Sequence, residues 1–188
     1  QLAANWGDSD ESAKSSWTTI ETTGELGLGS NYSSQSVAHG QLGLLDAGEC
    51  LVDDVEVRPG AGGNNYVANP NFNASLANWS LQGAFMRSSL NATQGFGGGA
   101  ALHLRTYNRL FTLANYAQCA LTNTTLASGA TDTLRLKGRW LRGSPDIVFR
   151  LPGNWLEAAG RLTVPANLGT PGLRNSRFVE WKAWLITL

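Results

Sequence analysis

An all-β fold, a jelly-roll β-sandwich of two antiparallel sheets, is what this sequence predicts, and three observations predict it. Charged residues are 15% of the chain and glycines number 22, a composition low in charge compared with the roughly 25% of an average soluble domain. Short apolar runs of four to eight residues recur along the chain, separated by Gly, Asn, Ser and Pro, which is the strand-and-turn signature. Several of these runs alternate apolar and polar residues with period two, as a strand buried on one face does. The chain has 188 residues, a length that one all-β domain can fill and that buries about two-thirds of the unfolded surface.

The elements follow in order. Ser16 to Thr22 is rich in β-branched residues and ends at Thr23-Gly24. Gln41 to Leu45 and Glu49 to Val57 come next, the second alternating at Val55 and Val57. Residues 1–58 thus supply N-terminal strands. Residues 59–65, within Arg58-Pro-Gly-Ala-Gly-Gly-Asn-Asn65, read as a linker, because Pro lacks a backbone donor and Gly has a high ordering cost. Residues 66–176 form the main segment. Tyr66 to Phe72 opens it, Trp79 to Leu81 follows, and the glycine turn Gly95 to Gly99 leads into Ala101 to Arg105, where Leu102 and Leu104 oppose His103 and Arg105. Tyr116 to Leu121, Asp132 to Trp140 and Ile147 to Leu151 continue the pattern. In the second of these, Leu134, Leu136 and Gly138 alternate with Arg135, Lys137 and Arg139. Trp155 to Ala159 suggests one helical turn, kept short by Pro152, Gly153 and Gly160. Leu168 to Ser176 reads as loop. The apolar stretch within 177–188 is either a final core strand or a non-native extension.

Charge and cysteine content narrow the function classes. Fourteen basic and 14 acidic side chains give a net charge of zero, so no basic excess exists to displace counterions from a nucleic-acid backbone. No apolar run approaches the 18 or so residues of a membrane-spanning helix. Cys50 and Cys119 are too few and too far apart for a structural zinc site. In an exported protein they would form a disulfide closing a loop of roughly 70 residues, worth about 4 kcal/mol in the chain-entropy model. Two buried free thiols are the alternative. No signal peptide stands at Gln1, so export is inferred from composition, or the signal has been removed.

Three segments, Leu51-Val-Asp-Asp-Val-Glu-Val57, Val67 to Asn73 with Asn78-Trp79, and Arg139 through Gly172, together resemble carbohydrate-binding-module-like, galactose-binding-like jelly-roll domains of large secreted bacterial proteins. The first resembles the strand that closes such modules. Val67-Ala-Asn-Pro-Asn-Phe-Asn73 with Asn78-Trp79 resembles their opening. Arg139 to Pro145, Gly153 to Ala158 and Asn167 to Gly172 resemble segments of secreted multidomain proteins that also carry lamin-tail-like and spore-coat-kinase-like domains. The closing strand here precedes the opening motif. A half-sandwich would expose an apolar face and an unpaired edge, so the two parts are read as one composite, circularly permuted jelly roll joined by Cys50 and Cys119. The resemblance implies an extracellular or cell-surface location, a polysaccharide or oligosaccharide partner, and neighbouring domains in a longer chain. It also implies a structural calcium held by Asp53 or Asp54 with Asn71 or Asn73, where Asn73 replaces the usual Glu with a neutral oxygen.

The candidate site residues follow from sugar chemistry. Flat aromatic rings lie against the apolar faces of pyranoses while polar side chains bond the hydroxyls. Trp79, Trp140, Trp155 and Tyr107 are the candidate platforms among seven tryptophans and four tyrosines, with Arg105, Arg139 and Asn154 as polar neighbours. Core packing is the competing reading for each Trp. The first function is therefore a non-catalytic carbohydrate-binding or adhesion module. The alternative is a small glycoside hydrolase on the same fold, needing two carboxylates at one of the separations such enzymes use. Glu157, beside Trp155, is its candidate acid and Asp54 a second carboxylate, with Asp46, Glu49, Asp53 and Asp146 also available. A spacer between domains is the third reading. No G-x-S-x-G elbow is present, and His39 and His103 are too few to argue a metal-ligand set.

Overall fold

The computed structural model describes residues 15–26, 34–73, 75–108, 115–127, 129–152 and 156–165. It is a β-sandwich of two five-stranded antiparallel sheets. In chain order the strands are β1 Thr18–Glu25, β2 Ser34–Ser36, β3 His39–Leu44, β4 Gly48–Pro59, β5 Trp79–Gln82 and β6 Ser89–Asn91. Then come β7 Ala101–Thr106, β8 Tyr116–Ala120, β9 Thr125–Ala127, β10 Thr131–Gly143, β11 Asp146–Arg150 and β12 Glu157–Arg161. Sheet 1 has the order β1-β10-β4-β7-β6 and sheet 2 the order β12-β11-β3-β8-β5, while β2 and β9 pair apart.

That order contains a regularity. Consecutive strands β3 and β4, β5 and β6, β7 and β8, and β10 and β11 each occupy the same rank in opposite sheets. Every such link carries the chain over the core instead of along one sheet, which is the jelly-roll wrap. Of the strands before residue 59, β3 and β4 take interior places, while β1 forms an edge of sheet 1. β4 lies between β10 and β7, and β3 between β11 and β8.

Alternation decides which side chains fill the interior. Along β10, Leu134, Leu136 and Trp140 point inward, and along β4 so do Cys50, Val52, Val55 and Val57. Leu42, Phe149, Ala117 and Cys119 meet them from sheet 2, with Phe72 and Phe85 closing the ends, all fully buried. Burying each large apolar side chain contributes about 1.5–3 kcal/mol. One cluster runs from Ile20 to Leu162.

The linker stretch is a hydrogen-bonded turn, and one later stretch departs from the sequence expectation. Residues 59–65 are pinned, with Gly60 N–H donating to Thr131 O and Gly63 N–H to Pro59 O. The Asn65 side chain accepts from the Val57 and Val67 amides and donates to Val55 O. Of the helical turn expected at 155–159, residues 157–159 belong instead to β12, paired with β11 so that Ala158 is buried opposite Phe149. Helix propensity there yields to a ladder and a core contact. Trp155, Asn154 and the stretches 168–176 and 177–188 lie outside the described residues.

The disulfide expectation is overturned. Cys50 and Cys119 are free and buried. Cys50 enters the core from β4 of sheet 1 and Cys119 from β8 of sheet 2. Entering from facing sheets, the two side chains share the core without bonding to each other. The Cys119 thiol instead lies 3.6 Å from Gly40 O.

Candidate functional site

The expected platforms Trp79 and Trp140 are core residues, 9% and 7% exposed. Trp79 packs on Phe72 with ring centroids 4.8 Å apart and donates its indole N–H to Asn69 O. Trp140 donates its own to Gly143 O. Each ring is buried and each polar edge satisfied, which is a structural role. Tyr107 is 71% exposed just beyond β7.

The aromatic and polar groups that converge lie on the outer face of sheet 1. The inward parity of β4, β7 and β10 turns Glu49, Leu51, Asp53 and Glu56, then Ala101, His103 and Arg105, then Arg135, Lys137 and Arg139 to this side. Leu51, Ala101 and Leu141 form a small apolar patch there, with Trp17 packed against it. The glycine-rich turn 95–99 folds over the same patch. Gly97 and Gly98 hold φ of 76° and 98°, a region glycine adopts without strain, and this carries Phe96 onto the face. Phe96 meets Trp17 edge-on, centroids 5.9 Å apart, and stays 44% exposed. The Lys137 ammonium sits 4.0 Å from the Phe96 ring centroid, a cation–π contact.

Asp53 ties this turn down. One carboxylate oxygen accepts the Phe96 N–H at 2.7 Å and the other accepts the Asp54 N–H at 2.8 Å. Burial pushes its pKa up to about 6, against the pull of those two amides and of Lys137.

Two ion networks flank the aromatics. Glu49 bonds Arg142, lies 3.0 Å from His103 Nε2 and 3.5 Å from Arg105 Nε. Arg105 Nε and Nη2 lie 3.1 Å and 3.0 Å from His103 Nε2 and Nδ1, so the guanidinium, the imidazole and the Glu49 carboxylate form one contact network. Burial acts to raise the Glu49 pKa, but the His103 and Arg142 bonds and the Arg142 and Arg105 charges outweigh it and hold the carboxyl at about 2. In the second network Glu56 takes Arg58 at 2.5 Å and Arg135 at 2.6 Å.

The remaining sequence candidates scatter. Asp54 and Glu157 lie in different sheets, on β4 and on the outermost strand β12 of sheet 2, and Glu157 is solvent-exposed instead of set in an apolar pocket. Asp46 is half-buried and accepts the Ala47 N–H. Asp146 pairs with Arg161 at 3.4 Å. Asp53 has both oxygens on amides, Asn71 and Asn73 are exposed, and among the described residues no group of three His, Cys, Asp or Glu converges. Val55 N–H does donate to Pro70 O, which brings the backbone beside Asp54 up to 70–73.

Trp17 and Phe96 were missed as site residues, yet signals existed for both. Trp17 shares the outward parity of Thr19 and Glu21, opposite Ile20. Phe96 stands alone among glycines, with no apolar partner to pull it into a core. The fold and this face define a two-sheet β-sandwich with a mixed aromatic and charged sheet surface. No family model, no curated protein and no solved structure matches the chain.

Proposed function

We propose that this chain is a non-catalytic carbohydrate-binding or adhesion module that works outside the cell as one domain of a larger secreted bacterial protein. The observation that carries the reading is the Trp17–Phe96 pair on the outer face of sheet 1, flanked by Lys137 and Arg139. Ring faces and edges supply apolar contact for a pyranose, and the flanking N–H groups bond hydroxyls. With both thiols free, location outside the cell rests on the resemblance alone. A structural calcium enters the proposal only through Asp54 with the oxygens of 70–73, and thermal unfolding with calcium against chelator tests it.

Calorimetry and affinity electrophoresis against plant and microbial glycans, on the native chain and on Trp17→Ala and Phe96→Ala, test the main reading. Binding weakened in both variants supports it. Silence across the panel, or binding indifferent to both substitutions, removes it. The hydrolase alternative has no pair to work with in Glu157 and Asp54. The carboxylates nearest the aromatics, Glu49, Asp53 and Glu56, are already held by cations or amides.

A further inference from the structure

The outer face of sheet 1 is not evenly neutralised. Of its carboxylates, Glu21, Glu49 and Glu56 are matched to Arg58, Arg105, Arg135 and Arg142 within 4 Å, and Asp53 is held by two amides. Two cations in the middle of the face, Lys137 and Arg139, have no carboxylate partner within that distance among the described residues. They are alternate residues of β10, so their Cα atoms lie about 7 Å apart on one side of the sheet. Between them and the flanking strands stand Trp17 and Phe96.

Arg139 is the more telling of the two. Its Nε–H donates to Ser15 O at 3.0 Å, which fixes the guanidinium plane beside Trp17. Its Nη groups have no acceptor among the described residues. A half-buried cation without a counter-charge is an uncompensated desolvation cost, and burial accordingly lowers its pKa. A fixed guanidinium with an open edge matches a carboxylate or sulfate in two parallel bonds. Lys137, held over Phe96, offers a second point charge on the same strand. The carboxylate directly across from it, Asp53, accepts the amides of Asp54 and Phe96 and makes no ion pair within 4 Å with Lys137, though the two charges still feel each other.

We infer that the ligand of this face is an acidic glycan, with a uronate carboxylate or a sugar sulfate taken by Arg139 and Lys137 while the sugar ring lies against Trp17 and Phe96. This rests on the carbohydrate-binding reading above and narrows its substrate class. Both anions share one chemistry, and comparison of polymers tells them apart.

The test is calorimetry at physiological salt with polygalacturonate, alginate and heparin, beside the neutral polymers xylan and mannan. The proteins are the native chain, Arg139→Gln, Arg139→Lys, Lys137→Gln and Trp17→Ala, each first shown to unfold at the native temperature within a few degrees. The expected result is binding of at least one acidic polymer and weaker or no binding of the neutral ones. Loss of the charge-assisted bonds in Arg139→Gln weakens it about ten- to a hundredfold. Arg139→Lys recovers only part, because the fork is gone, and Trp17→Ala also weakens it. Should Arg139→Gln fail to fold, Arg139→Lys and Lys137→Gln carry the comparison. Neutral glycans bound as tightly, with Arg139→Gln unchanged, would overturn the inference while leaving the carbohydrate-binding reading in place. Binding to no glycan at all defeats both. Equal binding of single-stranded DNA or anionic vesicles, indifferent to Trp17→Ala, shows a nonspecific basic strip and overturns the inference too.

Discussion

Replacing Glu49 by Gln keeps the shape of the side chain and removes the charge on which His103, Arg105 and Arg142 converge. The carboxyl is drawn down from 4.5 to about 2 in the folded protein, and at about 1.36 kcal/mol per unit that shift bounds its contribution near 3.4 kcal/mol. The group is partly open to solvent, so screening reduces the figure to about 2 kcal/mol. The sign follows from a depressed carboxylate pKa. The contribution is complete above about 4.5 and is lost as pH falls through about 2. Urea unfolding at pH 7 and pH 3 is the assay. With a slope of about 2 kcal/mol per molar, the variant's midpoint lies about 1 M lower at pH 7, and the gap shrinks to less than half of that at pH 3. A gap of equal size at both pH values would show that the loss comes from shape or packing. No gap at pH 7 would show that the network contributes nothing net.

Asp53 works in the opposite direction, because its pKa is raised from 3.8 to about 6; its destabilisation is absent below about 4 and complete above about 6. In Glu49→Gln, where the other titration is gone, the urea midpoint should therefore be higher at pH 4.5 than at pH 6.5, and an equal or reversed order refutes this. Gly40→Ala should destabilise by about 1–3 kcal/mol, since an added Cβ would lie 2.7 Å from the Phe149 ring and 3.0 Å from Cys119 Sγ; a thermal melt reads it, and an unchanged melting temperature would show that Phe149 yields freely. Burial pushes the Cys119 thiol up to about 12 and the Cys50 thiol higher still, so a thiol reagent should find neither in the native protein at pH 8 and both in guanidinium. Fewer than two in guanidinium without reductant would mean that a disulfide exists.

Most of the sandwich was legible because period-two alternation is a direct consequence of strand geometry. The parity of Leu134, Leu136 and Gly138 against Arg135, Lys137 and Arg139 is the parity the structure shows, and β7 likewise turns Leu102 and Leu104 inward and His103 outward. The same rule places Trp140 inward, on the side of Leu136, so the core reading of this residue follows from strand parity alone. The stretch 156–159 misled because Leu, Glu and Ala favour a helix in isolation, whereas its pairing with β11 is a long-range fact that local composition does not carry. The cysteines misled for a related reason. Both are inward residues of a core, and nothing in their spacing says that they enter it from opposite sheets. The aromatic face was hidden because it depends on a turn folding across three strands that are far apart in the chain.

The matched-rank wrap has a consequence for synthesis. β4 leaves the ribosome before either of its neighbours, and its partner Lys137 follows Asp53 by about 80 residues, which takes roughly 4–16 s at ordinary elongation rates. Val52 gains a neighbour when Leu102 of β7 emerges, but Val57 waits for Leu134 of β10, so this end of β4 is expected to depend on holding chaperones until then. A protein wound in this way builds the β4–β7 side of sheet 1 early and closes the other side late.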